Sequence, residues 1–257
     1  MDVLVSVDWH VIWLRIFHPD HAFARALWAT IALSVVAQTL GVLLGLLAAL
    51  ARMSRFPPLR VLSGVYVWIF RGTPLLVQIF YFYFALNPPT VHVLGLTLSS
   101  EISAGLLALS INEGAYMREI IRAGIDSIDK GQMEAAKSLG MRHWLAMRRI
   151  VLPQAARVIV PPLGNEFNNM MKTTSLVYTI GVYELFADAE QGYSQTFVSD
   201  YFLAVAFWYL VLTTAWTFVQ AWIERRLAAS ERGEELGFRE RLLAAWNPVT
   251  AWARGAR

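Results

Sequence analysis

The chain has 257 residues, of which 56% are hydrophobic and only 16% charged, with a mean hydropathy of +0.45 and a formal net charge of +3. An ordinary soluble domain carries roughly 25% charged residues, so this composition points to a membrane protein and not to a large soluble core. The absence of cysteine excludes disulfides, zinc–thiolate sites and cysteine nucleophiles.

The N-terminus carries Asp2 and Asp8 where a secretory signal carries Lys or Arg, and no small-residue cleavage site follows, so no cleavable signal peptide is expected. Val5 to Phe17 is apolar but short. Trp9 and Trp13 lie one turn apart in it, which suits an interfacial helix because indole rings favour the headgroup region. A bilayer core about 30 Å thick needs about 20 apolar residues as helix. Five stretches qualify: about Phe23–Ala51, Leu62–Leu86, Leu98–Ile121, Ala155–Val182 and Tyr201–Ile223. The third and fourth carry polar residues. Pro74 is expected to break the second, and Pro161 and Pro162 to do the same near one end of the fourth. From Glu224 the chain turns charged, with Phe238, Leu242, Leu243 and Trp246 on one helical face. Such a tail suits a membrane surface, a partner, or no specific role. The expected organisation is an extracytoplasmic or interfacial segment (1–22), a five-span domain (23–224) and a cytoplasmic amphipathic tail (225–257).

Basic residues set the orientation. The turn after the first span, the segment from Arg118 to Arg157 and the tail from Arg225 hold 18 of the 22 Lys and Arg. The two opposite loops hold none, and the second of them is acidic, with Glu184, Asp188, Glu190 and Asp200. The positive-inside rule therefore places the N-terminus outside and the C-terminus in the cytoplasm. The fold class is an all-α membrane protein with five transmembrane helices.

The segment between the third and fourth spans reads Glu134-Ala135-Ala136, three residues, Gly140, nine residues, Ile150, one residue, Leu152-Pro153. Gln132 to Leu139 is expected as one short helix, ended by Gly140 at positive φ. His143 to Val151 is expected as a second, with Trp144, Met147 and Val151 on one face and Pro153 stopping it. Glu134 sets a carboxylate near a helix N-terminus, where it is stabilising. On these grounds alone the segment is either a hairpin that packs on the spans or a surface for a partner. Its pattern resembles the EAA motif of permeases in ATP-binding-cassette importers, with every defining position filled.

Three further blocks are similar to the polar amino-acid branch of that family. They are Phe70-Arg71-Gly72-Thr73-Pro74 through Gln78, Gly114-Ala115-Tyr116 followed by Glu119 and Arg122, and Asn165-Glu166-Phe167 followed by Lys172, Thr174, Ser175 and Leu176. The resemblance covers about Thr30 to Arg225 and departs at Thr173, where relatives often carry an acidic residue. It implies a type I importer permease fold in a bacterial inner membrane. It implies coupling to a separate ATPase through Glu134, Ala135, Ala136, Gly140, Ile150, Leu152 and Pro153. The implied partners are two ATPase subunits holding ATP and Mg, a second permease, identical or homologous, and an extracytoplasmic solute-binding protein, for which the acidic loop offers a docking surface. Uptake of a polar or charged L-amino acid follows, or of an opine or other small zwitterion. No nucleic acid is expected as a partner.

The chain has no G-x-x-x-x-G-K-[ST] phosphate loop, so it is not expected to be the ATPase. A secondary transporter would show more spans and inverted repeats. A membrane enzyme would need convergent catalytic groups, whereas His10, His18, His21, His92 and His143 are scattered, so neither a catalytic nor a metal site is expected.

Ionised side chains inside a bilayer normally face the bundle interior or a wet cavity. The substrate-pathway candidates are Arg71, Thr73, Gln78, Glu166, Asn169 and Lys172, with Asn112 and Glu113 second. Arg71 either lines the pathway or snorkels near a span end. Glu166, Asn169 and Lys172 share one helical face, either as a ligand-binding stripe or through an ion pair of Glu166 with Lys172 or Arg71. Glu119 and Arg122, three apart, suit a structural ion pair.

Overall fold

The computed structural model describes residues 7–93 and 96–232. Helix α1 (Trp9–Phe17) starts where the Asp8 carboxylate accepts the N–H groups of His10 and Val11, and α2 (His21–Met53) where Asp20 accepts that of Phe23. Helix α3 (Pro57–Gly72) opens on two prolines, at positions that need no N–H. Helix α4 (Leu75–Phe80) widens into a π turn over Tyr81–Leu86. An antiparallel hairpin of β1 (Val91–Val93) and β2 (Leu96–Leu98), in register Val91↔Leu98, leads to α5 (Ser100–Asp126). Two short helices follow, α6 (Lys130–Ser138) and α7 (His143–Ala146). Helix α8 (Leu152–Thr173) tightens into a 3-10 turn over Thr174–Ile180, and α9 (Leu185–Thr196) precedes α10 (Asp200–Arg232).

The spine of the bundle is α2 against α5, running parallel. Gln38 bonds Glu113, Gly41 abuts Glu113 and Gly114, and Gly45 abuts Met117 and Arg118. A Cβ on Gly41 would lie 2.5 Å from Glu113 Cγ, and one on Gly45 would lie 2.4 Å from Met117 Cβ. The Gly41-x-x-x-Gly45 pair is what lets the two backbones approach, the usual device where lipid supplies no hydrophobic drive between helices.

By length and hydropathy α2 and α10 can each cross a membrane, and the bent pair α3 and α4 is long and apolar enough to count as a third if it forms one broken span. Helices α5 and α8, of 27 and 22 residues, carry the polar side chains and pack against them. Several expectations are revised. The second stretch is two arms meeting at 105° across Thr73-Pro74, and its first arm begins at Pro57, not Leu62. Pro161 and Pro162 do not break α8, which runs through them; Trp216 and Gln220 of α10 donate to the Gly164 and Pro161 carbonyls there, at 2.8 and 3.2 Å. Pro153 does not stop α7. A widened turn over Met147–Val151, with the Leu152 N–H bonded to Met147 O, joins α7 directly to α8 and spares the proline ring its clash. The loop after the second stretch contains the hairpin, unforeseen in so short a segment. Helix α10 continues to Arg232, past the expected domain boundary. The expected amphipathic tail face lies outside the described residues.

The acidic loop is also revised. Glu184, Asp188 and Asp200 are 0%, 3% and 4% exposed, so they cannot form an acidic docking surface. Each has an internal task. Glu184 accepts from Ala187 N–H at 2.9 Å and Tyr209 at 2.8 Å. Asp188 accepts from Tyr183 at 2.8 Å and faces Arg15 at 3.7 Å. Asp200 accepts from the Asp8 backbone N–H at 2.6 Å. These bonds, with Trp208 Nε1 donating to Arg15 O at 3.1 Å, tie α1 and α9 to α10. Burial raises the Asp188 carboxyl above its ordinary range, against the pull of Tyr183 and Arg15.

Candidate functional site

Pro74 removes an N–H, and the bend at Thr73-Pro74 leaves the carbonyls of Phe70 and Thr73 without helical donors. Gln78 serves them. Its Nε2 donates to Phe70 O at 3.0 Å, Thr73 O at 3.1 Å and Thr73 Oγ1 at 2.8 Å. Asn112 of α5 completes the knot, donating to Phe70 O at 2.9 Å and Gln78 Oε1 at 3.0 Å. Two expected pathway residues, Thr73 and Gln78, are thereby committed to holding the break. A freed backbone inside a membrane must be satisfied by the protein, and this amide does it.

Beside the knot lies a cavity of about 450 Å³. Its α8 wall brings Glu166, Asn169, Lys172 and Thr173 together, and its α5 wall presents Asn112, Glu113 and Tyr116. Arg71 stands at 5.0 Å over the Tyr116 ring, at the edge of this space. Among the described residues, no ion pair joins Glu166 to Lys172 or Arg71. The two charges of the α8 stripe therefore remain available to a solute bearing both an ammonium and a carboxylate. Glu113 accepts from Gln38 Nε2 at 2.9 Å, which fixes it from the α2 side. Sequence reasoning missed Gln38, although a lone amide in an otherwise apolar span is a recognisable signal. Tyr116, in the Gly114-Ala115-Tyr116 block, has a place in the cavity wall that its sequence alone does not indicate. Among the described residues no cluster of His, Asp and Glu is placed to hold a metal ion.

At the far end of α5, Glu119 accepts from Arg122 at 3.1 Å and also pairs with Arg118, while Asp126 takes the other arm of Arg122 at 2.7 Å. Arg118 Nε donates to Ser63 Oγ at 3.1 Å, which in turn donates to Ala48 O at 2.7 Å. The expected Glu119–Arg122 ion pair is thus part of a lock joining α2, α3 and α5.

Beyond it α6 and α7 form a tight corner. Asp129 caps α6, which starts at Lys130, two residues before the expected Gln132. Gly140 sits at φ +80°, its N–H bonded to Lys137 O and that of Met141 to Ala136 O, the Schellman pairing that closes a helix. Ala136 and Val151 are buried inside the corner, while Glu134, Ala135, Leu152 and Pro153 are exposed and Ile150 half-buried. Leu139 and Trp144 are 83% and 69% exposed, so the corner offers large apolar side chains outward and not only onto the spans.

Residues 41–229 match the family model described as a binding-protein-dependent transport system inner membrane component. An arginine transport system permease protein of Corynebacterium glutamicum is 39% identical over 237 residues, covering 88% of this chain and 73% of that protein. An L-cystine transport system permease protein of Bacillus subtilis strain 168 is 42% identical, covering 78% and 84%. Among solved structures, an amino acid ABC transporter with histidines superposes with a TM-score of 0.71 at 40% identity, covering 80% of this chain and 94% of that one. A methionine ABC transporter in an inward-facing conformation, 17% identical with a TM-score of 0.66 over 80% of this chain and 96% of that one, shares the fold.

Proposed function

The chain belongs to the family of binding-protein-dependent transport system inner membrane components, and from that premise we propose how its geometry moves a solute. It is the permease subunit of an amino-acid ATP-binding-cassette importer, and like its relatives it carries no ATPase site. The single observation that carries the substrate reading is the cavity wall, where Glu166 and Lys172 stand unpaired with each other beside Asn112 and Asn169. Opposite charges with amides between them suit the ammonium and carboxylate of an amino acid. The relatives named for arginine and cystine transport support a polar or charged L-amino acid for this chain as well. An opine, which bears the same two groups, is the second reading.

In this proposal α2, the bent α3–α4 pair, α5, α8 and α10 are five spans of a bacterial inner membrane, with α1 outside and the C-terminus in the cytoplasm. The parallel course of α2 and α5, and the basic residues at their shared end, support that orientation. Five helices are few to enclose a path, so a second permease, identical or homologous, completes it about a two-fold axis. Two ATPase subunits, holding ATP and Mg, dock on the α6–α7 corner, and a solute-binding protein delivers from outside. Closure of the ATPases would push the corner, and the widened turn at Met147–Val151 passes that motion straight into α8 and its cavity wall.

The test is uptake and ATPase stimulation across a panel of acidic, basic and amide amino acids with the reconstituted complex. One subset should stimulate both. Stimulation only by solutes lacking an α-amino acid group refutes the reading.

A further inference from the structure

A groove of about 470 Å³ runs between α2 and α3, sharing no lining residue with the solute cavity. Leu44, Leu47 and Ala48 form one wall and Leu62, Tyr66 and Phe70 the other. It is apolar almost throughout. Leu47 and Leu62 are exposed within it, so among the described residues nothing covers them. From Leu44 to Ala51 the groove follows α2 for about 10 Å, within the roughly 15 Å depth of one leaflet, and Arg52 and Arg55 lie beyond its end.

The mouth of the groove is basic. Arg52 lies one helical turn beyond Ala48, Arg55 follows the end of α2, and Arg60 lies one turn before Ser63 on α3. All three are exposed, and among the described residues no carboxylate pairs with them. They flank in sequence the α3 N-terminus, which begins Pro57-Pro58 and has no side-chain cap, so among the described residues no carboxylate caps the positive end of the helix dipole. Three cations and an uncapped helix end above an alkyl-lined slot need a ligand with a negative head and an apolar body.

We propose that the α2–α3 groove is a binding site for an anionic glycerophospholipid, whose phosphate is held by Arg52, Arg55 and Arg60 while one acyl chain lies along Leu44, Leu47, Leu62 and Phe70. Zwitterionic lipids fill the same slot but neutralise less of its charge. The site adjoins the Ser63–Arg118 lock that joins α2, α3 and α5, so occupancy stiffens that lock. The proposal does not depend on which amino acid is carried.

The experiment is native mass spectrometry of the assembled transporter with phosphatidylglycerol, phosphatidylethanolamine or inorganic phosphate. Phosphatidylglycerol should be retained in preference. Each single change of Arg52, Arg55 or Arg60 to Gln should weaken that retention about fivefold, since a basic residue near an anionic surface contributes about 1 kcal/mol. Leu47→Trp, which fills the slot, should weaken retention of both lipids. Arg25→Gln, the same charge change at the other end of α2, should leave retention unchanged; thermal unfolding confirms that each variant is folded. Equal retention of the two lipids, indifference to the three arginines, an equal effect of Arg25→Gln, full competition by inorganic phosphate, or loss of retention whenever the ATPase subunits are bound would each overturn the proposal.

Discussion

The side-chain oxygen of Gln78 accepts from Asn112 Nδ2 at 3.0 Å, joining the bent α3–α4 arm to α5 beside the break at Thr73-Pro74. Because the Gln78 amide also holds the Phe70 and Thr73 carbonyls, its first task is the backbone. Leaving a buried carbonyl without its donor costs about 1–3 kcal/mol. Gln78→Leu should therefore lower the melting temperature and yield of the complex while leaving the rank order of transported amino acids unchanged. A changed rank order at unchanged stability would return Gln78 to the solute path.

Glu166 and Lys172 answer differently. Neither has an internal ion-pair partner among the described residues, so Glu166→Gln and Lys172→Gln should cost little stability. A hydrogen bond to a charged group contributes about 1.5–3 kcal/mol, so each change should raise the half-saturating solute concentration roughly ten- to a hundredfold. Uptake kinetics over a range of solute concentrations measures it. Wild-type affinity in both variants would remove the stripe from the site.

The α6–α7 corner separates docking from folding. Gly140 lies at φ +80° with no atom near its missing Cβ. Gly140→Val should strain the corner by about 1–2 kcal/mol, whereas Gly140→Asn should be better tolerated. Glu134→Lys leaves the corner folded, since Glu134 is exposed, and should cut ATPase co-purification and substrate-stimulated hydrolysis. Full retention of both by Glu134→Lys and Gly140→Val would end the coupling reading.

Two glycines test the spine. Gly45→Ala places a methyl 2.4 Å from Met117 Cβ and 2.9 Å from Arg118 N, whereas Gly64→Ala on α3 meets nothing within 4 Å. The first should destabilise by about 1–3 kcal/mol, and the second should be neutral or stabilising by up to about 1 kcal/mol, as alanine favours helix. Thermal unfolding of the two variants side by side checks the order.

Asp20 supplies a pH test outside the spans. The Phe23 N–H, helped by the Arg15 charge, holds its carboxyl below the ordinary value of 3.8 against the opposing effect of burial. A carboxyl lowered in the folded state stabilises above its unfolded value, and that help fades as the pH falls through the folded one. Asp20→Ala should cost about 1 kcal/mol at neutral pH, and its gap from the parent protein should close below pH 3.8. A gap independent of pH would show that the cap acts without its charge.

The positions of the long helices and of the α6–α7 corner were legible from sequence because they rest on local facts. Apolar length, proline and the positive φ of Gly140 each act within a few residues. The match of residues 41–229 to the permease family agrees with the motif around Glu134 to Pro153. What the sequence misplaced was decided by groups far apart in the chain. Thr73 and Gln78 read as solute contacts because polarity in a span signals function; the structure adds a second task, since Gln78 holds the Phe70 and Thr73 carbonyls at the bend and Asn112 of another helix holds Gln78. Glu184, Asp188 and Asp200 read as a charged outer face, yet they are buried, and Thr30, Tyr209, Tyr183 and the Asp8 backbone donate to them, with Arg15 3.7 Å from Asp188. The prolines of α8 read as a break, yet Trp216 and Gln220 donate to carbonyls beside them. By itself the sequence determined which residues are polar in an apolar chain. Whether each serves a solute or the fold was decided by tertiary structure, because a buried polar group takes whichever partner lies within hydrogen-bond reach, and that reach crosses between helices.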